Sequence, residues 1–198
     1  MSLQIRKESG AIYDPVFLKI LEDIPGGVTV KTNRFPTDTK EIKKGALLNA
    51  DASTAGLYNI IKSVRLTAEH ESGATLLLVE APHLFIAGEY IKLGVVAITI
   101  SRLSTTALIL ETIAAYANIA SGAIIEEANA ASASEATVKY AASAILRDTI
   151  EVREPGVTTL LDNIFAGAIV RGTVDESELP YFVTSADKTA LTDRIRFA

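Results

Sequence analysis

The chain contains no cysteine and no tryptophan, and only two histidines and one methionine in 198 residues. Without cysteine there is no disulfide, no thiolate nucleophile and no sulfur-ligated zinc. His70 and His83 stand 13 residues apart, outside any HExxH or HxH arrangement. His70 lies between Glu69 and Glu71 and reads as a solvated loop residue; His83 follows Pro82 and reads as a structural or surface residue. The phosphate cradles GxxxxGK[ST] and GxGxxG are absent, and so is the GxSxG nucleophile elbow. Long apolar runs are lacking too: none reaches the roughly 20 residues of a membrane helix. The opening MSLQIRKESG has no apolar core of the signal-peptide kind, so the expectation is synthesis and folding in the cytoplasm. Positive charge is in deficit, 19 Lys+Arg against 24 Asp+Glu, for a net charge of −5. That balance argues against nucleic acid and anionic membrane as partners.

What the chain has is apolar bulk. Residues of the hydrophobic group make up 48% of it, aromatics only 6%, and the mean hydropathy is +0.28. At this length a core can form without disulfides or metals. The apolar excess hints at buried intersubunit surface, against the alternative of an alanine-rich core in a monomer.

The stretch from Pro25 to Thr67 sets the local style. Ile42-Lys43-Lys44-Gly45-Ala46-Leu47-Leu48 places polar residues and one glycine before a short apolar run. The same outline recurs around Gly88 (Phe85–Ile91), Gly122 (Ile119–Ile125) and Gly167 (Phe165–Val170). Glycine takes positive φ without steric penalty, so all four are expected to be tight turns into strands. The fold class expected is therefore mainly β, a small barrel or sandwich-like domain with short helices, one of them C-terminal.

Taken in order, residues 1–24 form an N-terminal arm or a short helix. Ile12, Phe17, Leu18, Ile20 and Leu21 suit an amphipathic helix after Asp14-Pro15, or an extended segment along a partner. Residues 25–198 form the β-rich domain, with a division into two subdomains placed within 102–136. Val28 and Val30 alternate with polar residues, as do Tyr58, Ile60, Val64 and Leu66, with a break around Ile61 to Ser63 that marks a bulge. Leu76 to Val79 is a continuous apolar run, the pattern of a strand buried on both faces. Val96, Ile98 and Ile100 alternate again. Residues 102–117 and 137–153 admit helix or strand, the first half of 102–117 leaning to strand. Ser185 reads as the N-cap of a helix reaching about Arg194, and Ile195–Phe197 as an edge strand.

No set of side chains spells out catalysis, and a non-enzymatic protein without cofactor or metal is expected. Glu126-Glu127 and Glu176/Glu178 read as solvated surface acids, because a glycosidase pair needs facing carboxyls in an aromatic-lined cleft. Asp175, Glu176 and Glu178 lack the regular spacing of a calcium loop. Lys40, Lys43 and Lys44, with Arg34, read as a solvated basic loop.

On Ile24–Val28, Ile42–Leu48, Leu57–Ile60, Phe85–Ile91 and Thr189–Phe197, the chain resembles the small β domains of tailed-bacteriophage head-decoration and head-fibre proteins, and virion proteins of phages of gut Bacteroides-type bacteria. The resemblance is loose and spans most of the chain. It implies a virion location, a phage capsid protein as partner, and self-association, with a homotrimer favoured. It makes residues 1–24 the capsid-binding element, with Tyr13, Phe17 and Leu18 as anchors. A carbohydrate-binding or adhesion module is the alternative, and it needs exposed aromatic rings to stack on sugars.

Overall fold

A computed structural model describes residues 15–111, 118–153 and 159–198. The protein is mainly β, 43% strand against 6% helix. The first strands are β1 (Phe17–Asp23), β2 (Val28–Lys31), β3 (Glu41–Ile42), β4 (Leu47–Ala50) and β5 (Leu57–Ile60). Next come β6 (Ser63–Arg65), β7 (Leu76–Leu78), β8 (Tyr90–Leu93), β9 (Val96–Ser104), β10 (Ala107–Leu110) and β11 (Ile124–Ala128). The last are β12 (Ala144–Leu146), β13 (Ile150–Glu151), β14 (Asn163–Ala166), β15 (Ala168–Val174), the helix α1 (Ser185–Leu191) and β16 (Ile195–Phe197).

Among the described residues the chain forms two large sheets and a small antiparallel pair, β3 with β13. An eight-stranded sheet runs β1-β15-β12-β4-β5-β2-β14, with β16 parallel to β15. A six-stranded sheet runs β6-β11-β8-β9-β10-β7. The second closes on itself. Leu66 bridges Val79, the Thr67 amide donates to the Leu78 carbonyl at 3.1 Å, and the Glu80 amide to the Arg65 carbonyl at 2.9 Å. The result is a small barrel, whose closure removes exposed strand edges. A single division within 102–136 would place one sheet before it and one after. Instead the chain leaves the eight-stranded sheet at Ile61-Lys62, builds the whole barrel from Ser63 to Ala128, and returns at Ala144. The break in alternation at Ile61–Ser63 is that crossing, not a bulge within one strand.

Burial follows from side-chain alternation. Leu48, Ile60, Ala144, Leu146 and Ala168 belong to one core of the eight-stranded sheet; Leu47, Ile61, Ile145 and Ile169 belong to another. Neighbours along a strand point to opposite faces, so both faces are covered here, and β12 is buried at every position. The barrel has one interior, filled by Val64, Leu77, Phe85, Ile91, Ile98, Ile100 and Leu108 among others. This corrects the expectation for Leu76–Val79: Leu77 is fully buried, while Leu76 and Leu78 point outward at 51% and 42% exposure.

The glycine turns divide three to one. At Lys43–Ala46, Ile86–Glu89 and Ala120–Ala123 the fourth amide donates to the first carbonyl, at 3.4, 3.4 and 3.2 Å. Gly45, Gly88 and Gly122 sit third in these turns with φ of +90°, +85° and +82°, the geometry of type II turns. Gly167 is different, because its φ is not positive. It joins β14 directly to β15, and its carbonyl accepts from the Arg147 amide at 2.9 Å. What it supplies is space: a Cβ there would lie 2.8 Å from Arg147 Nε and Asp148 Oδ2.

Two terminal expectations are also revised. Residues 17–21 are strand, not helix, and the extended segment lies along β15 of its own chain, from Phe17↔Val174 to Asp23↔Ile169. The N-cap of α1 is Thr184 rather than Ser185, because Thr184 keeps extended backbone and forms a capping box with Asp187. The helix ends at Leu191.

Candidate functional site

Where barrel and eight-stranded sheet meet, five charged side chains and a phenol are linked. Arg34 leaves the end of β2, Lys62 occupies the crossing between β5 and β6, Glu89 follows the Gly88 turn, Glu127 is on β11, and Lys139 and Tyr140 lie on the return path. Arg34 Nη2 donates to Glu89 Oε1 at 2.8 Å and to Glu127 Oε1 at 2.5 Å; its Nη1 donates to the Tyr140 hydroxyl at 3.1 Å. Lys62 Nζ donates to Glu89 Oε1 at 2.5 Å and to the Arg34 carbonyl. Lys139 Nζ donates to Glu127 Oε1 at 2.6 Å. Burial lowers the Lys62 pKa from its ordinary value, against the opposing pull of Glu89. The network corrects two expectations: Arg34 is not part of a solvated basic loop, and Glu127 is not a surface acid but a buried one at 3% exposure. Residue spacing gives no sign of this, because the contacts span 55 residues for Arg34–Glu89 and 93 for Arg34–Glu127.

Beside the network opens a cleft of about 1070 Å³. Its walls are the β2–β3 connection, with Phe35 and Lys40, Lys43 in the turn after β3, and the β7–β8 connection, with Pro82 and His83; Tyr181 also lines it. His83 is buried at 8% exposure, and its Nε2 lies 2.7 Å from the Ser104 carbonyl. A carbonyl only accepts, so Nε2 carries a proton; Nδ1 is buried without a hydrogen-bond partner. Burial pushes the Tyr181 phenol up to about 12, partly offset by a hydrogen bond with the Lys43 backbone. The cleft offers apolar contact and single hydrogen-bonding groups. Among the described residues, no three His, Cys, Asp or Glu side chains are grouped to hold a metal ion.

The remaining site residues are scattered. His70 is not a solvated loop residue; it is buried at 3% exposure and exchanges backbone hydrogen bonds with Ile119, each of 2.9 Å. Glu126 is half-buried and faces Asp187. Asp175 caps the short 3₁₀ turn Glu176–Glu178, and Glu176 pairs with Lys188 at 2.6 Å. Of the anchors, Tyr13 lies outside the described residues. Phe17 is in the core at 7% exposure, and Leu18 is open at 46%.

Leu18 has company. On β1, Ile20 and Leu21 are exposed at 47% and 58%. Register shifts within the β1–β15 pairing break the strict alternation, so consecutive apolar residues face outward. β1 is an edge of its sheet. The opposite edge, β14, exposes Phe165 at 70%. No family model matches the chain, and no curated protein or solved structure matches it. Among the described residues no helix is long and apolar enough to cross a membrane.

Proposed function

We propose that the chain is a non-enzymatic structural protein of a tailed-phage virion, one that docks on the outside of the head and self-associates there. The observation that carries this reading is the apolar edge strand β1, with Leu18, Ile20 and Leu21 exposed side by side. An unpaired, apolar strand edge is a ready surface for another chain, and soluble proteins ordinarily cover or charge it. The phage assignment rests on the resemblance of the turn-and-strand segments. The partner is then a capsid protein, and a trimer is the favoured assembly. The experiment is quantitative mass spectrometry of purified particles from the phage that encodes the chain. A fixed ratio to the main shell protein, at many copies per particle, supports the reading; absence from particles overturns it.

The carbohydrate-binding alternative needs aromatic rings open to solvent. Tyr58, Tyr90, Tyr140 and Tyr181 are half-buried and Phe35 is buried, while Phe165 on β14 is open at 70%. A glycan array tests that alternative directly.

A further inference from the structure

β11 of the barrel and α1 of the C-terminal segment meet through Glu126, Thr184 and Asp187. The Thr184 hydroxyl lies 2.9 Å from Asp187 Oδ2 and 3.3 Å from Glu126 Oε1. The same oxygen accepts from the Asp187 amide at 3.2 Å. A hydroxyl has one proton to donate, so it cannot serve two carboxylates at once. Asp187 has a second donor, the Thr184 amide, 3.1 Å from Oδ2. Glu126 is therefore the group left short of a donor when both acids are ionised. With a proton on Glu126, its hydroxyl donates to the Thr184 oxygen 3.3 Å away while the Thr184 hydroxyl donates to Asp187, and every contact of the trio is satisfied.

The surroundings do not supply a strong compensating charge. Lys92 on β8, next in register to the Glu127↔Ile91 pair, is the cation that acts on Glu126. Ser63 stands opposite Glu126 on β6, but its hydroxyl donates to the Phe182 carbonyl at 2.6 Å. Arg65 stacks over the Phe182 ring at 4.2 Å, with Glu80 4.0 Å away. On α1, Lys188 is turned to Glu176 at 2.7 Å. Burial, with the Asp187 charge second, raises Glu126 to about 7 against the Thr184 hydrogen bond and the pull of Lys92. Burial also pushes Asp187 up, opposed by its Thr184 hydrogen bonds.

We propose that Glu126, Thr184 and Asp187 form an acid-closed latch, in which a proton on Glu126 holds the start of α1 against β11 of the barrel and ionisation of both carboxyls frees that contact. Glu126 is an acid whose folded value lies above its ordinary one. Its stabilising effect is therefore complete below the ordinary carboxyl range and is lost as pH rises through about 7. Release at β11 leaves the other ties of the segment intact: the Phe182 carbonyl still accepts from Ser63, Arg65 still stacks on the Phe182 ring, and β16 stays paired to β15.

Amide exchange in the full chain tests this. Between about pH 5.5 and about pH 8.5, exchange of residues 182–191, corrected for its intrinsic pH dependence, should rise roughly tenfold or more. Glu126→Gln, which keeps the neutral form and a donor, should show no such rise. Carbon-13 titration of the Glu126 carboxyl should give a midpoint near 7, and Asp187→Asn should lower it. A midpoint below about 5, or equal rises in the parent and Glu126→Gln chains, would overturn the latch. Should Glu126→Gln fail to fold, the carboxyl titration of the unsubstituted chain decides alone.

Discussion

Lys62 Nζ and Glu89 Oε1 lie 2.5 Å apart, with the two side chains exposed at only 2% and 4%. The pair sits at the crossing between the two sheets and is tied to Arg34 and, through it, to Glu127. Removing one member of such a pair strands an uncompensated charge, at a cost of about 3–5 kcal/mol, whereas removing both can be nearly neutral. Glu89→Ala should therefore destabilise strongly in urea titration. The double change Lys62→Met with Glu89→Gln should lose less than Glu89→Ala alone. Equal losses would mean that the pair itself is not what holds the crossing.

Phe17 and Leu18 are neighbours with opposite duties. Phe17 packs in the core, so Phe17→Ala should cost about 3–5 kcal/mol in denaturation. Changing Leu18, Ile20 and Leu21 together to serine should leave the melting temperature nearly unchanged, because these side chains are exposed. It should also convert the assembled form to monomer in light scattering. A chain already monomeric before substitution at working concentration would remove β1 as a self-association surface.

The turn glycines separate backbone strain from crowding. A Cβ at Gly88 meets nothing within 4 Å, so Gly88→Ala should cost only the left-handed backbone term, about 1–2 kcal/mol. At Gly45 the same atom would lie 2.9 Å from Pro180 and 3.0 Å from Leu179. Gly45→Ala should be the more damaging of the two by thermal denaturation. Gly167→Ala should be milder than Gly45→Ala, since it meets the movable ends of Arg147 and Asp148 without a positive φ.

Tyr181 gives an alkaline signature. Its phenol is held up at about 12 by burial. The stability linked to keeping it neutral is complete below the ordinary phenol value, about 10, and is lost as pH rises through about 12. Ultraviolet titration should show one tyrosine ionising late, together with unfolding, and Tyr181→Phe should remove that phase. An unchanged titration curve in Tyr181→Phe would contradict the assignment.

Much of the fold was legible because it is local. Alternation at Val28–Val30, Val96–Ile100 and Tyr58–Ile60 marks strands, and polar-Gly-apolar punctuation marks the turns at Gly45, Gly88 and Gly122. The pattern misled at Gly167, where Ala166 is not a turn residue but remains in the ladder opposite Val28. It misled at Leu76–Val79 as well, because a continuous apolar run does not say whether one face or two will be covered. Thr184 and Ser185 are both acceptable caps by residue type; the choice between them follows from which backbone stays extended.

The sequence by itself determined that no disulfide or thiolate chemistry is possible, that the chain is β-rich, and where the glycine turns at Gly45, Gly88 and Gly122 fall, because composition and short-range periodicity act within a few residues. Tertiary structure decided which charges are buried and which apolar residues are not. Arg34 and Glu127 read as surface charges until barrel closure and the return at Ala144 bring them together with Lys62 and Glu89. Leu18, Ile20 and Leu21 suit either the apolar face of a helix or a segment along a partner until β1 takes the edge of its sheet. The physical reason is the same in both cases: burial is a property of what packs against a residue, and those partners lie tens of residues away in the chain.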